Sequence, residues 1–73
     1  MDKLEVGQEF EFIEPAHVND RVIAKGTRVR VGQVMTEVLE PEVMLVVIGS
    51  QPPETLRVSR HVVTLHCRRL QPS

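Results

Sequence analysis

Residues 27–35 read TRVRVGQVM, and this stretch decides the fold of the chain. Before Gly32 the apolar side chains stand at odd positions, Val29 and Val31, whereas after it they resume at the even position Val34. Alternation of apolar and polar residues is typical of a strand that buries one face. A change of parity at a glycine indicates a β-bulge, which inserts one extra residue and bends the strand. We therefore predict a strand that turns at Gly32 and lets a small sheet curl around its core.

Four other segments also have strand patterns, and glycines, prolines and polar residues separate them. Phe10 and Phe12 share one face of the first segment, and we expect residues 63, 65 and 67 to face inward in the last one. Residues 59–61 would form a tight connector, and residues 16–26, which include Asn and Asp, a long loop. The four further strands are predicted over residues 6–13, 42–48, 55–58 and 63–68.

Residues 33–40 fit two conformations. Apolar residues at positions 34, 35, 38 and 39 match a helical stripe as well as a strand. We favour a strand that runs into a loop, because β-branched residues dominate and Pro41 stops any helix while it is still short.

The order of these segments carries a resemblance to a known fold. Residues 6–8 (VGQ) open the first strand, residues 23–27 (IAKGT) lead into the second, and residues 58–62 (VSRHV) precede the fifth. With a long first loop and a short last connector, the chain resembles small bacterial SH3-like barrel proteins. The resemblance implies an all-β fold, a small five-stranded antiparallel SH3-like barrel. It also implies a range of roles, namely antirepressors, nucleic-acid-associated modules and accessory subunits of enzymes.

Length and composition limit the organisation and the location of the protein. Seventy-three residues allow one domain, which we place at residues 1–70 with a frayed tail at 71–73. Cys67 is the single cysteine, so an internal disulfide is excluded and a reducing compartment fits best. The N-terminus lacks the apolar core of a signal peptide, and the longest apolar run, residues 43–48, is too short to span a membrane. We expect a soluble cytoplasmic protein without a membrane partner.

The candidate reactive side chains do not converge. His61, His66 and Cys67 form the closest set, but His66 and Cys67 are adjacent in a predicted strand and point to opposite faces. This argues against a metal site and against a Cys–His nucleophile pair. We predict no catalytic residue, no metal and no cofactor, and a chain that is not an enzyme.

The run at residues 43–48 is apolar on both faces, whereas a small barrel covers only one. If residues 43, 45 and 47 fill the core, the others face outward as an interface for a protein partner or a homodimer. Alternatively, the loop at 16–26 folds over them with Val18, Val22 or Ile23, or the segment at 36–42 covers them. The leading interpretation is an adaptor, regulator or accessory subunit with this interface: Met35, Leu39, Met44, Val46 and Ile48.

The arginines have two interpretations. In an SH3-like order Glu9 and Glu11 lie between the arginines of the second strand on one side and His66 and Arg68 on the other, which predicts cross-strand ion pairs. Alternatively, surplus arginines form a patch for phosphate, nucleic acid or an acidic partner. A net charge of -1 and only two aromatic residues disfavour nucleic acid. The candidate patch comprises Arg28, Arg30, Arg57, Arg60, Arg68 and Arg69.

Overall fold

A computed structural model describes residues 4–35 and 41–71, and this part of the chain is mostly β. A five-stranded antiparallel sheet has the order β6-β5-β4-β1-β7, and β2 and β3 form a separate two-stranded sheet. The elements in chain order are β1 (Glu9–Phe12), β2 (Ala16–Val18), β3 (Arg21–Ile23), β4 (Arg28–Met35), β5 (Glu42–Val47), β6 (Thr55–Ser59), α1 (Arg60–His66) and β7 (Cys67–Leu70).

The first strand lies between the second and the last strands of the large sheet. Glu9 is opposite Arg30 and Glu11 is opposite Arg28 on β4, while Glu11 is also opposite Arg68 on β7. The predicted neighbours of the first strand are thus confirmed, although β1 is shorter than the predicted 6–13.

The bulge predicted at Gly32 is confirmed. The register between β4 and β5 shifts between Val31 and Gln33, so Val31 pairs with Leu45 but Gln33 pairs with Met44. Added to Gly32, a Cβ atom would lie 3.2 Å from Cγ2 of Val46. A larger residue at this position would therefore require the Val46 side chain to move by a few tenths of an ångström.

One cluster of apolar side chains forms the core, on the inner face of the large sheet. The sequence leaves open which face of residues 43–48 is buried; Val43 and Leu45 are buried, and Val47 is half-buried against the cluster. Val34 also packs against the cluster, so the parity shift at Gly32 returns an apolar residue to the core. The buried residues are Phe10, Phe12, Ala16, Val18, Ile23, Val29, Val31, Val43, Leu45, Leu56, Val58 and Val63.

The predicted loop at 16–26 is wrong for residues 16–23, which form the hairpin of β2 and β3. Asn19 and Asp20 connect the strands with φ of 49° and 65°, and positive φ at both central residues is the mark of a type I′ hairpin turn. Strands of three residues are too short to show a period in the sequence. The hairpin contributes Ala16, Val18 and Ile23 to the core.

The predicted fifth strand at 63–68 is also wrong for residues 63–66. Residues Arg60–His66 form α1, which also replaces the predicted connector at 59–61, and the last strand begins at Cys67. Val63 is buried, but Leu65, predicted to face inward, is exposed. The physical reason is long-range: the helix inserts Val63 into the core, and this outweighs the strand propensity of its β-branched residues.

The large sheet has β6 and β7 at its edges, and no ladder between them closes a barrel in residues 4–35 and 41–71. The β2–β3 hairpin lies near β6, since the Asn19 side-chain amide donates a hydrogen bond to the Arg57 carbonyl at 3.3 Å. Among the described residues, no helix has the length and apolar character needed to cross a membrane.

Candidate functional site

The outer face of the large sheet, turned away from the core, carries a line of apolar side chains along β5. Val43 and Leu45 point into the core, so Met44 and Val46 point outward, and both are half-buried. Ile48 continues the line beyond the end of β5, where its N–H donates to the Arg28 carbonyl at 2.9 Å. Its exposed fraction is 39%. We call Met44, Val46 and Ile48 the outer stripe.

Ile13 belongs to the same face, and the sequence reasoning missed it. It follows Phe12 directly, its N–H donates to the His66 carbonyl at 2.9 Å, and it is 46% exposed. The signal was present in the sequence, because Ile13 continues the parity of Glu9 and Glu11, whose side chains also face outward.

Ion pairs occupy the outer face beside the stripe. Glu11 accepts contacts from two arginines, Arg68 at 2.9 Å and Arg28 at 3.7 Å, while Glu9 pairs with Arg30 at 3.1 Å. The predicted cross-strand pairing of these five residues is confirmed.

His66 departs from that prediction. Its Nδ1 lies 2.5 Å from a carboxylate oxygen of Glu14, so it pairs with neither Glu9 nor Glu11. The pair joins the last turn of α1 to the segment that follows β1.

On the other side of the stripe, Arg57 of β6 pairs with Glu42 of β5. Its Nη2 and Nε lie 2.8 and 3.0 Å from the same carboxylate oxygen. Arg57 is directly opposite Met44, and Arg30 is directly opposite Val46. The outer stripe is therefore flanked by arginines on both neighbouring strands.

The structure places only some of the predicted interface residues and only some of the candidate arginines on the outer face. Met35 is half-buried at the end of β4, opposite Glu42, and Leu39 lies outside the described residues. Four of the six arginines share the outer face: Arg28, Arg30, Arg57 and Arg68. Arg60 instead begins α1, and Arg69 is opposite Phe10, on the other side of β7 from Arg68.

The alternative prediction is that the loop at 16–26 or the segment at 36–42 folds over the outer stripe and covers it. Val18 and Ile23 are buried in the core cluster and Val22 is 62% exposed, so the hairpin covers the core rather than the stripe. Of the segment at 36–42, residues 36–40 lie outside the described part of the chain. Cover of the outer stripe by the segment at 36–42 therefore stays a prediction.

Cys67 is half-buried opposite Phe12 and packs against the core. Burial raises the pKa of its thiol to about 12, because the charged thiolate loses hydration. A neutral thiol is a poor nucleophile and a poor metal ligand. Within residues 4–35 and 41–71, no three His, Cys, Asp or Glu side chains are grouped so as to hold a metal ion.

The chain matches no protein-family model, and searches of curated proteins and of solved structures give no match either.

Proposed function

We propose that this chain is a non-enzymatic protein-binding module, a small adaptor, regulator or accessory subunit that docks a partner on its outer face. One observation carries the proposal. The core is complete without the outer stripe, yet Ile48 and Ile13 remain substantially exposed on the face that Met44 and Val46 share. Exposed apolar side chains surrounded by polar ones are typical of docking surfaces.

We further propose that the fold is an SH3-like barrel. The strand order β7-β1-β4-β5-β6 supports this, as does the bulge that bends β4. A hairpin within the first connection and a short helix before the last strand also fit. We also propose a cytoplasmic location, which rests on the single cysteine of the sequence.

The alternative function, nucleic-acid binding through the arginines, has weaker support. The four outer-face arginines contact three glutamates, so the net positive charge of this face is too small for the summed attraction of many phosphates on which nucleic-acid binding depends. Phe10 and Phe12 are both buried, so neither offers a ring on which a base could stack.

Site-specific photo-crosslinking tests the proposed docking face. With the photoreactive residue benzoylphenylalanine in place of Ile48, irradiation of cells that express the protein should give a discrete covalent adduct. The same residue in place of Val22, which is exposed on the hairpin, should give none. Adding Val46→Glu to the position-48 variant should abolish the adduct, because a charge would be buried in the interface.

Two results would contradict the proposal. One is an adduct of equal yield from position 22, and the other is an adduct from position 48 that survives Val46→Glu. Circular dichroism of each purified variant checks that the fold is retained.

A further inference from the structure

The charged side chains of the outer face differ in their exposure to solvent. The side chains of Arg28, Arg30, Arg57 and Arg68 are 53 to 65% exposed, whereas those of their partners Glu9, Glu11 and Glu42 are 19 to 41% exposed. The arginine side chains are thus more accessible to solvent than the glutamate side chains with which they pair. An approaching molecule can contact the arginines more readily than the glutamates.

These guanidinium groups keep hydrogen-bonding capacity despite their ion pairs. A guanidinium has five N–H donors. Arg30 uses Nη2 towards Glu9, and Arg57 uses Nε and Nη2 towards a single oxygen of Glu42. Each of the two therefore has donors left for an acceptor on another molecule.

The spacing of the arginines is set by the sheet. Arg30 on β4 and Arg57 on β6 stand on either side of β5, about 10 Å apart across the sheet and offset by two residues, about 7 Å, along the strands. The outer stripe fills the space between the two rows. A complementary surface has apolar side chains at its centre and acceptors about 5 Å to either side.

We propose that the docking face binds a protein segment whose apolar side chains are flanked by carboxylates, an inference that rests on the proposed function. The apolar side chains lie on Met44, Val46 and Ile48, and the carboxylates accept hydrogen bonds from Arg30 on one side and Arg57 on the other. Charge-assisted hydrogen bonds of this kind are stronger than neutral ones.

Two other occupants fit less well. A second copy would bring the same arginine-covered face against this one, so its outermost charges would be like charges. A nucleic-acid backbone supplies anions but no aliphatic group to cover the stripe, and its bases find no aromatic ring here.

Binding of designed peptides to the full chain tests the inference. The probes are two 14-residue peptides with leucines at identical positions and either glutamates or lysines elsewhere, a glutamate-only peptide and a 12-nucleotide single-stranded DNA. Amide shifts of the isotope-labelled protein are followed at 50 mM and 300 mM salt. The leucine–glutamate peptide should shift the amides of Met44, Val46 and Ile48, and its affinity should fall as salt screens the charges.

Matched arginine variants locate the contact. Arg30→Gln combined with Arg57→Gln should weaken the leucine–glutamate peptide at least tenfold, about 1.4 kcal/mol. Arg21→Gln is the control, because Arg21 is equally exposed and also pairs with a glutamate, Glu54, but lies on the hairpin. It should leave the affinity unchanged.

Several results would overturn the partner chemistry. These are equal binding of the lysine peptide or of the glutamate-only peptide, an equal loss of affinity in Arg21→Gln, stronger shifts with DNA, or no shift with the leucine–glutamate peptide. Sedimentation that reports a dimer sensitive to Val46→Glu would also overturn it in favour of a second copy. In that case the crosslink from position 48 would persist, so the proposed docking face would stand while this inference fell.

Discussion

At the scale of single residues, Glu11 is the most connected charge on the outer face. It joins three strands, since it contacts Arg68 on β7 and Arg28 on β4, and its side chain is only 19% exposed. Glu9 contacts one arginine and is more exposed. We expect Glu11→Gln to lower the free energy of unfolding by about 1 kcal/mol, and Glu9→Gln by about half of that.

Urea titrations at low salt and at 1 M NaCl measure both changes. High salt should shrink the Glu11→Gln effect, because the Debye length falls to about 3 Å. Equal losses in the two variants would show that Glu11 does not act as a bridge.

Cys67 gives a second prediction at this scale. The pKa of its thiol rises from 9.0 to about 12 in the fold, so the folded protein holds the proton more tightly than the unfolded chain does. The stabilisation is complete below pH 9 and is lost as the pH rises from about 9 towards 12, because the unfolded chain releases its proton there. Between pH 8 and pH 10, the wild type should therefore lose more stability than Cys67→Ala.

Denaturant titration at each pH measures this difference, and thiolate absorbance near 240 nm checks the proton itself. Parallel loss of stability in the two proteins, or thiolate absorbance in the folded wild type at pH 10, would contradict the prediction.

At the scale of elements, the hairpin turn is the place where a substitution should improve the protein. Asp20 has a φ of 65°, a left-handed conformation that costs less for glycine than for other residues. Asp20→Gly should raise the free energy of unfolding by about 0.5–1 kcal/mol, while Asp20→Ala should lower it. Asn19 is left unchanged, because its side chain binds the Arg57 carbonyl.

Thermal unfolding of the three proteins gives the measurement. A lower melting temperature for Asp20→Gly would mean that the aspartate side chain contributes more than the backbone strain costs.

The same scale shows how far the sequence predicts the structure. The bulge at Gly32 was predictable, because the alternation in β4 is long enough for a break in it to be recognised. The inward face of β5 was not, because residues 43–48 are apolar on both faces. The helix was not, because residues 62–64 favour a strand locally and the contact that decides is Val63 in a distant core. At the site, parity predicts that the residues of the outer stripe share one face, and strand order predicts the ion pairs of Glu9 and Glu11. The greater exposure of the arginines depends on side-chain packing, which parity does not describe.

At the scale of the whole molecule, the proposed function assigns stability and binding to the two faces of one sheet, since the inner face makes the core and the outer face carries the proposed docking surface. Leu45 and Ile48 are three residues apart on the same stretch of chain, yet Leu45 is fully buried and Ile48 faces solvent.

Leu45→Ala should lower the free energy of unfolding by about 2–5 kcal/mol, because it leaves a cavity. In a domain of this size, each kcal/mol lowers the melting temperature by about 4–8 °C, so a drop of about 8 °C or more is expected. Ile48→Ala should lower the free energy of unfolding of the isolated protein by about 1 kcal/mol or less, because Ile48 is 39% exposed and leaves no closed cavity. Melting curves from circular dichroism measure the stability of both variants. Binding is measured by photo-crosslinking of a protein that carries benzoylphenylalanine in place of Val46 and alanine in place of Ile48. A large loss of stability in Ile48→Ala would mean that the outer stripe is covered within this chain, whereas a stable variant that loses the crosslink is what a docking face requires.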